Sequence, residues 1–376
     1  MPRPISATIS LPALRHNLST VMAQLQTTSV AARRSMPQVW AVMKADAYGH
    51  GLLNALGAFG QAQGMAMLDL NEAVRCRQAG WTGPLLLLEG FFDPTDILVA
   101  AQYELTVAVH TQEQLDMLMA ARPVRPLDVF IKLNSGMNRL GFAPKDYRRA
   151  YSLAQQAQAA GQVRHLGKMT HFACADDSQE LTAAQIAVFN QVTDGLPGSV
   201  SVCNSAANLT DGLWTTLTGA DSQWVRPGIC LYGASPFANV SADALGLRPA
   251  QTLAAELISV RTIGVGDAVG YGYLYTADSP MRIGVVACGY ADGYPRHAPT
   301  GTPITVDGVR TRILGRVSMD MLVADLTAVP QARVGSKVVL WGRNGPSVDE
   351  VAHASGTIGY ELLCAVAPRV PRLVVQ

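Results

Sequence analysis

The stretch LTVAVHTQEQLDMLMAARPVRPLDVFIKLN (residues 105–134) decides the fold. It opens on a near-continuous apolar run, LTVAVH (105–110). A helical period follows over Glu113–Ala121, with Leu115, Leu118 and Met119 on one face. A second apolar run, DVFIKLN (128–134), closes the stretch. Apolar runs of strand length that do not alternate belong to parallel strands buried on both faces, and the helix between them is a crossover. The unit recurs in VWAVMK (39–44), GMAMLDL (64–70), PLLLLEG (84–90), HLGKMTHF (165–172), SVSVCN (199–204) and WVRPGICLYG (224–233). Eight such units within roughly 200–250 residues make a (β/α)8 TIM-type barrel. A doubly wound open sheet is the alternative. It would carry a Gly-rich phosphate fingerprint after its first strand, where this chain has Lys44.

Beyond residue 240 the texture changes. TLAAELISV, DAVGYGYLY, MRIGVVACGY, TPITVDGVRTRI and KVVLWG read as strands separated by turns, and Asp307-Gly308 is a hairpin signal. Ile5–Ser10 reads as a further strand pairing with this region, because the helical period begins only at Leu11, with Ser10 and Pro12 as a helix start. The expected class is α/β: residues 1–10 join a mostly β C-terminal domain at 241–376, and residues 11–240 form the barrel.

The 376 residues are 49% apolar and 15% charged, which excludes disordered and coiled-coil classes. Lys+Arg 29 against Asp+Glu 28 leaves +1, so no global field draws the chain to nucleic acid or a membrane surface. An anionic ligand must be held locally. The six cysteines form no C-x-x-C pair and mostly sit in apolar runs, so neither a zinc site nor a disulfide framework is expected. The start MPRPISATISLPALRHNL has no apolar signal region, and the apolar stretches are too short to span a bilayer. These features point to a cytoplasmic protein.

In such a barrel the chemistry lies at the C-terminal ends of the strands. By that filter Lys44 ends strand one, and Lys132 lies near the end of strand five with Arg139 in the following loop. His171 ends strand six, Asn204 and Ser205 end strand seven, and Arg226 lies in strand eight, ahead of Gly228 and Ile229. Lys44 has two readings. As a desolvated amine with a lowered pKa it forms a Schiff base with an aldehyde. As an ordinary rim lysine it snorkels to water.

AVMKADAYGHG (41–51) resembles the pyridoxal-phosphate lysine motif of alanine racemases. KLNSGMNRLG (132–141), THFACAD (170–176), CNSAA (203–207), VRPGICLYG (225–233), GYG (270–272), GYADGYPR (289–296), GRVSMDM (315–321) and GYE (359–361) resemble further blocks of that family, in family order and over nearly the whole chain. Ser135 stands where relatives more often carry Thr, and it keeps the hydroxyl.

The resemblance implies pyridoxal 5′-phosphate as cofactor, alanine as substrate and a barrel that binds the cofactor. Lys44 would hold the cofactor covalently and act as one base; Tyr271 would be the other, reaching the site of a second subunit. Tyr48, Ser205, Gly228, Ile229 and Tyr360, with Asn204 beside them, would hold the phosphate. Arg139 would bond the phenolic oxygen and, with Met319, the substrate; Met319 and Asp320 would line the entrance and the substrate-carboxylate side. His171 would lie against the pyridine ring and Arg226 would face its nitrogen. Lys132 matches a position that is carbamylated in many relatives. Asp176, Tyr290, Arg296, Arg316 and Asp320 would form the entrance. Shared sites imply a homodimer.

Racemisation takes a proton from one face of Cα and returns one to the other, so two opposed bases suffice. Free phenol and ammonium groups titrate near ~10 and ~10.4, so both bases need depressed values. A cationic Arg226–His171 pair is the expected cause for Tyr271; desolvation and nearby charge are the expected causes for Lys44. Arg226 does not readily give up a proton, so the pyridine nitrogen stays neutral. The competing readings are a decarboxylase of similar architecture, a barrel-only cofactor carrier, and a racemase for another small amino acid such as serine. The VRPGI block speaks against the first and the segment 241–376 against the second. The product's use, in peptidoglycan synthesis or alanine catabolism, stays open at this level.

Overall fold

The computed structural model describes residues 3–376. Strand β1 (Ile5–Ser10) runs directly into helix α1 (Leu11–Ala32). The Ser10 hydroxyl accepts from the Ala13 N–H, and Pro12 sits in the first turn, as expected of a helix start. Leu11, Leu14, Leu18, Val21 and Leu25 recur at three- and four-residue steps and form the buried stripe of α1.

The barrel follows. Strands β2 (Gln38–Val42), β3 (Gly64–Met67), β4 (Leu85–Leu87), β5 (Thr106–Val109), β6 (Leu127–Lys132), β7 (Val163–Met169), β8 (Ser199–Ser201) and β9 (Gln223–Val225) close in chain order, all parallel. Each falls within or against one of the eight apolar runs. β2 and β9 pair at Gln38↔Trp224 and Val39↔Val225, and the rings of Trp40 and Trp224 stack 4.1 Å apart across that seam. The helix expected over 113–121 spans Gln112–Ala120, with Leu115 and Leu118 buried and Met119 packed on the core.

The C-terminal part comprises β10 (Gln251–Ile263), β11 (Ala268–Val269), β12 (Tyr275–Thr276), β13 (Met281–Val286), β14 (Pro303–Val306), β15 (Val309–Leu314), β16 (Leu322–Asp325), β17 (Lys337–Trp341) and β18 (Arg372–Val375). Its main sheet has the order β13-β16-β15-β14-β17-β10-β1-β18, with β13 also pairing β10. Asp307 (φ 47°) and Gly308 (φ 85°) form the turn between β14 and β15, both at positive φ as a tight hairpin requires. β1 lies antiparallel to β10 (Ile5↔Ala255) and parallel to β18 (Ala7↔Arg372), so both chain ends are tied into this sheet.

Asn17 on α1 links the two parts. It is fully buried, donates to the carbonyls of Leu231 (3.1 Å) and Arg248 (2.8 Å), and accepts from the Arg248 N–H at 2.7 Å. One side chain thus satisfies the backbone where the barrel ends and where the next part begins. Asn17→Ala strands these groups, at about 1–3 kcal/mol for a buried unpaired polar group. A drop of that size in the urea-unfolding free energy is expected.

Candidate active site

Lys44 stands two residues beyond the end of β2, not inside the strand as the apolar run suggested. After it Ala45, Asp46, Ala47 and Tyr48 all take left-handed backbone (φ 57°, 50°, 55° and 51°). Left-handed turns of L-residues cost roughly 1–2 kcal/mol per residue, so the turn needs support. Gly49 N–H donates to Ala45 O at 3.0 Å, the Asp46 carboxylate accepts from Leu52 N–H at 2.8 Å, and the buried His50 Nδ1 lies 3.1 and 2.9 Å from the carbonyls of Ala47 and Tyr48. The turn leaves Lys44 at the barrel mouth and buries the Tyr48 ring against Tyr232, with centroids 4.6 Å apart.

A cavity of about 190 Å3 opens at this mouth. Of the residues singled out from the sequence, Lys44, Tyr48, Lys132, Arg139, His171, Asn204, Ser205, Arg226, Gly228, Ile229 and Tyr360 line it together. His171 and Arg226 lie just past the ends of β7 and β9 rather than within them. Six further wall residues were missed: Val42, Leu68, Leu88, Leu140, Met169 and Glu89, whose carboxylate is the one acid among the lining residues. Glu89 ends the PLLLLEG run, so the strand-end filter could have found it.

Arg226 is buried and donates to Ser201 Oγ (2.8 Å), the Thr170 carbonyl (2.7 Å), the Val202 carbonyl (3.2 Å) and His171 Nδ1 (3.1 Å). Burial pulls its pKa down to about 10, which leaves it charged at neutral pH. A guanidinium has no acceptor, so His171 Nδ1 accepts and its proton sits on Nε2. Burial, then the Arg226 charge, push the His171 imidazole well below its usual range. The expected cationic Arg226–His171 pair is therefore corrected: Arg226 alone carries charge. Burial, reinforced by Arg226 and Arg139, brings the Lys132 ammonium down to about 8. Lys44 is likewise lowered, by burial first and Arg139 second.

Neutral donors line the same cavity. Ser205 Oγ accepts from the Gly228 N–H at 2.8 Å and from Cys230 Sγ at 3.4 Å, which frees its own proton for a third group. Asn204 caps the short helix that begins at Ser205 by accepting from the Ala207 N–H at 3.1 Å. Ile229 opens a one-turn helix, where an N–H lacks an intrahelical acceptor. A Cβ on Gly228 would lie 2.6 Å from the Tyr48 hydroxyl, so only glycine admits the phenol here.

Asp176 is set apart from this cavity. It lines an adjoining one of about 450 Å3, shared with His171, Asn204 and Tyr360. Tyr271, Tyr290, Arg296, Arg316, Met319 and Asp320 line neither cavity of their own chain. Gly272 packs near the Arg316 guanidinium, and the Tyr290 N–H donates to Ser318 O at 3.0 Å. Segment 315–321 therefore brings Tyr271, Arg316, Tyr290, Met319 and Asp320 into one neighbourhood. Tyr271 is 70% and Met319 54% exposed there. Tyr271 lies in a one-turn 3₁₀ helix (Tyr271–Tyr273), not in a strand.

The profile of the alanine racemase N-terminal domain matches residues 9–236, and that of the alanine racemase C-terminal domain matches residues 250–374. The chain belongs to the alanine racemase family. Alanine racemases of Bordetella avium and Bordetella petrii are 60% and 59% identical to it, each over 99% of both chains. The crystal structure of the biosynthetic alanine racemase from Pseudomonas aeruginosa superposes with a TM-score of 0.91 at 44% identity, covering 100% of both chains. That of the Enterococcus faecalis alanine racemase gives 0.84 at 32%, covering 99% of this chain and 98% of that one. An alanine racemase is an isomerase, and the match to the C-terminal domain removes the barrel-only carrier reading.

The neutrality of His171 is checked by nitrogen-15 NMR of labelled imidazoles. A His with a depressed folded pKa binds its proton more weakly than in the unfolded chain, so it lowers stability as pH falls below about 6.5. His171 will show the neutral Nε2–H pattern throughout pH 6–8.

Proposed function

We propose that the chain interconverts L-alanine and D-alanine with two bases on opposite faces of the substrate: Lys44 of one subunit and Tyr271 of the partner subunit. The observation that carries this reading is the company Lys44 keeps. One cavity holds its amine with the charged Arg139 and Arg226 and with a set of neutral hydroxyl and N–H donors.

Pyridoxal 5′-phosphate fits what these residues offer. The free Ser205 proton, the Tyr48 and Tyr360 hydroxyls and the Ile229 N–H suit a phosphate, since neutral donors in a nest bind anions. Lys44, at a lowered pKa, is the amine that an aldehyde requires. When bound, the cofactor supplies an electron sink that makes the Cα–H acidic. Lys44 Nζ then takes or returns the Cα proton on one side, and the hydroxyl of Tyr271 of the partner subunit does so on the other. Arg139 and Met319 hold the substrate, with Asp176, Tyr290, Arg296, Arg316 and Asp320 at the entrance. The exposed cluster around Tyr271 supports a homodimer with two equivalent sites.

Lys132 is read as a carbamylation site. Its Nζ adds to CO2, forming an N–C bond and releasing one proton. A pKa of about 8 supplies the required neutral amine. The resulting anion would sit beside Arg139 and orient it. The six free cysteines suit a reducing compartment, and we assign the enzyme to the cytoplasm.

Two experiments test the reading. Lys44→Ala and Tyr271→Phe homodimers will each be inactive. Mixing and refolding them will restore about a quarter of wild-type racemisation, because half the dimers are mixed and each mixed dimer has one intact site. No recovery, in mixed dimers shown to form, overturns the shared site. Arg226→Glu offers the pyridine nitrogen a group able to share a proton and strengthens the sink. Transamination relative to racemisation will rise, measured as pyruvate formed per racemisation turnover. Equal partition in both proteins overturns the role of Arg226.

A further inference from the structure

We infer that the ionic frame in which Arg3 and Arg369, from both chain ends, grip Asp292 and Asp320 positions the loop that meets the substrate's carboxylate. The inference rests on reading Met319 as part of that carboxylate site.

Asp292 closes the turn Tyr290–Asp292, and its carboxylate is buried. Arg3 Nη1 donates to both its oxygens at 2.9 and 3.1 Å, Arg369 Nε donates to Oδ1 at 2.8 Å, and the Gly289 N–H donates to Oδ2 at 3.0 Å. Its carbonyl accepts from the Ala367 N–H at 3.1 Å. One residue thus ties together the start of the chain, the 289–293 turn and the segment before β18.

The same two arginines reach the second loop. Arg369 Nη2 donates to Asp320 Oδ1 at 2.6 Å, and Arg3 Nη2 donates to the Asp320 carbonyl. The loops also bond directly, Tyr290 N–H to Ser318 O at 3.0 Å and Ala291 N–H to Met319 O at 2.9 Å. A Cβ on Gly289 would lie within 2.5 Å of Ser318 O, Met319 O and Asp320 N, so their backbones touch.

Met319 is 54% exposed, so packing within its own chain does not hold it. What holds it is this polar frame. The planar Arg369 fork bridges two carboxylates and fixes a direction, which a point charge does not. The frame places Met319 and Tyr290 relative to each other, and displacements of about 1 Å at such positions cost up to ~100-fold in rate.

The test measures kcat and KM in both directions for Arg369→Lys, Arg369→Met and Asp320→Asn dimers. The dissociation constant of propionate, a carboxylate probe, and the thermal midpoint are read alongside. Arg369→Lys keeps one charge at Asp292 and loses the bridge. It is expected to raise KM and the propionate constant together by roughly tenfold with kcat within about threefold. Arg369→Met will do so more strongly. Asp320→Asn will reproduce part of the effect. Should Arg369→Met fail to fold, Arg369→Lys decides. Unchanged KM and propionate binding in a folded dimer, with or without a lower midpoint, overturn the inference. Met319→Ala, run in parallel, separates the two failures. If it leaves propionate binding unchanged, the reading of Met319 as part of the carboxylate site fails; if it weakens propionate binding while the Arg369 variants bind normally, only the positioning role fails.

Discussion

The site depends on a buried cation that touches no carboxylate. Arg226 is closed in by the carbonyls of Thr170 and Val202, the hydroxyl of Ser201 and the ring of His171. Neutral acceptors satisfy its donors without cancelling its charge. That charge therefore acts on its surroundings: after burial, it is the next cause that keeps His171 neutral and lowers Lys132. A carboxylate in place of any of these acceptors would offset the Arg226 contribution and leave the larger contribution of burial.

The second constraint is mechanical. Four left-handed residues after β2 turn the chain so that Lys44 and Tyr48 serve one cavity. The strain of that turn is held by His50 beneath it and by Arg372, whose Nε donates to Gly49 O at 3.2 Å. Arg372 belongs to β18, the last strand of the chain, so the C-terminal sheet steadies a loop of the barrel. Strain at a functional turn persists only where the surroundings over-determine it.

Much of the site was legible in the sequence because barrel chemistry collects at strand ends, which apolar runs reveal. Lys44, Lys132, His171, Ser205 and Arg226 were each found by that filter. The same filter passed over Glu89, although it ends its run in the same way. It also blurred positions, since an apolar run does not show whether Lys44 lies in the strand or two residues beyond. Tyr271, Tyr290 and Met319 gave no local signal. Tyrosines and a methionine among glycines read as packing residues, and only the family resemblance singled them out.

What the chain order settled by itself is the architecture: eight buried strands with crossovers, an Asp-Gly hairpin and an N-terminal strand, each a local pattern of polarity and turn chemistry. Protonation was left to tertiary structure. Whether His171 is charged depends on its burial and on the Arg226 N–H that meets its Nδ1, and the two residues are 55 positions apart. The frame around Asp292 likewise joins residues from the two ends of the chain. Charge states and loop positions arise from contacts between distant segments in a desolvated interior, and local pattern carries no record of those contacts.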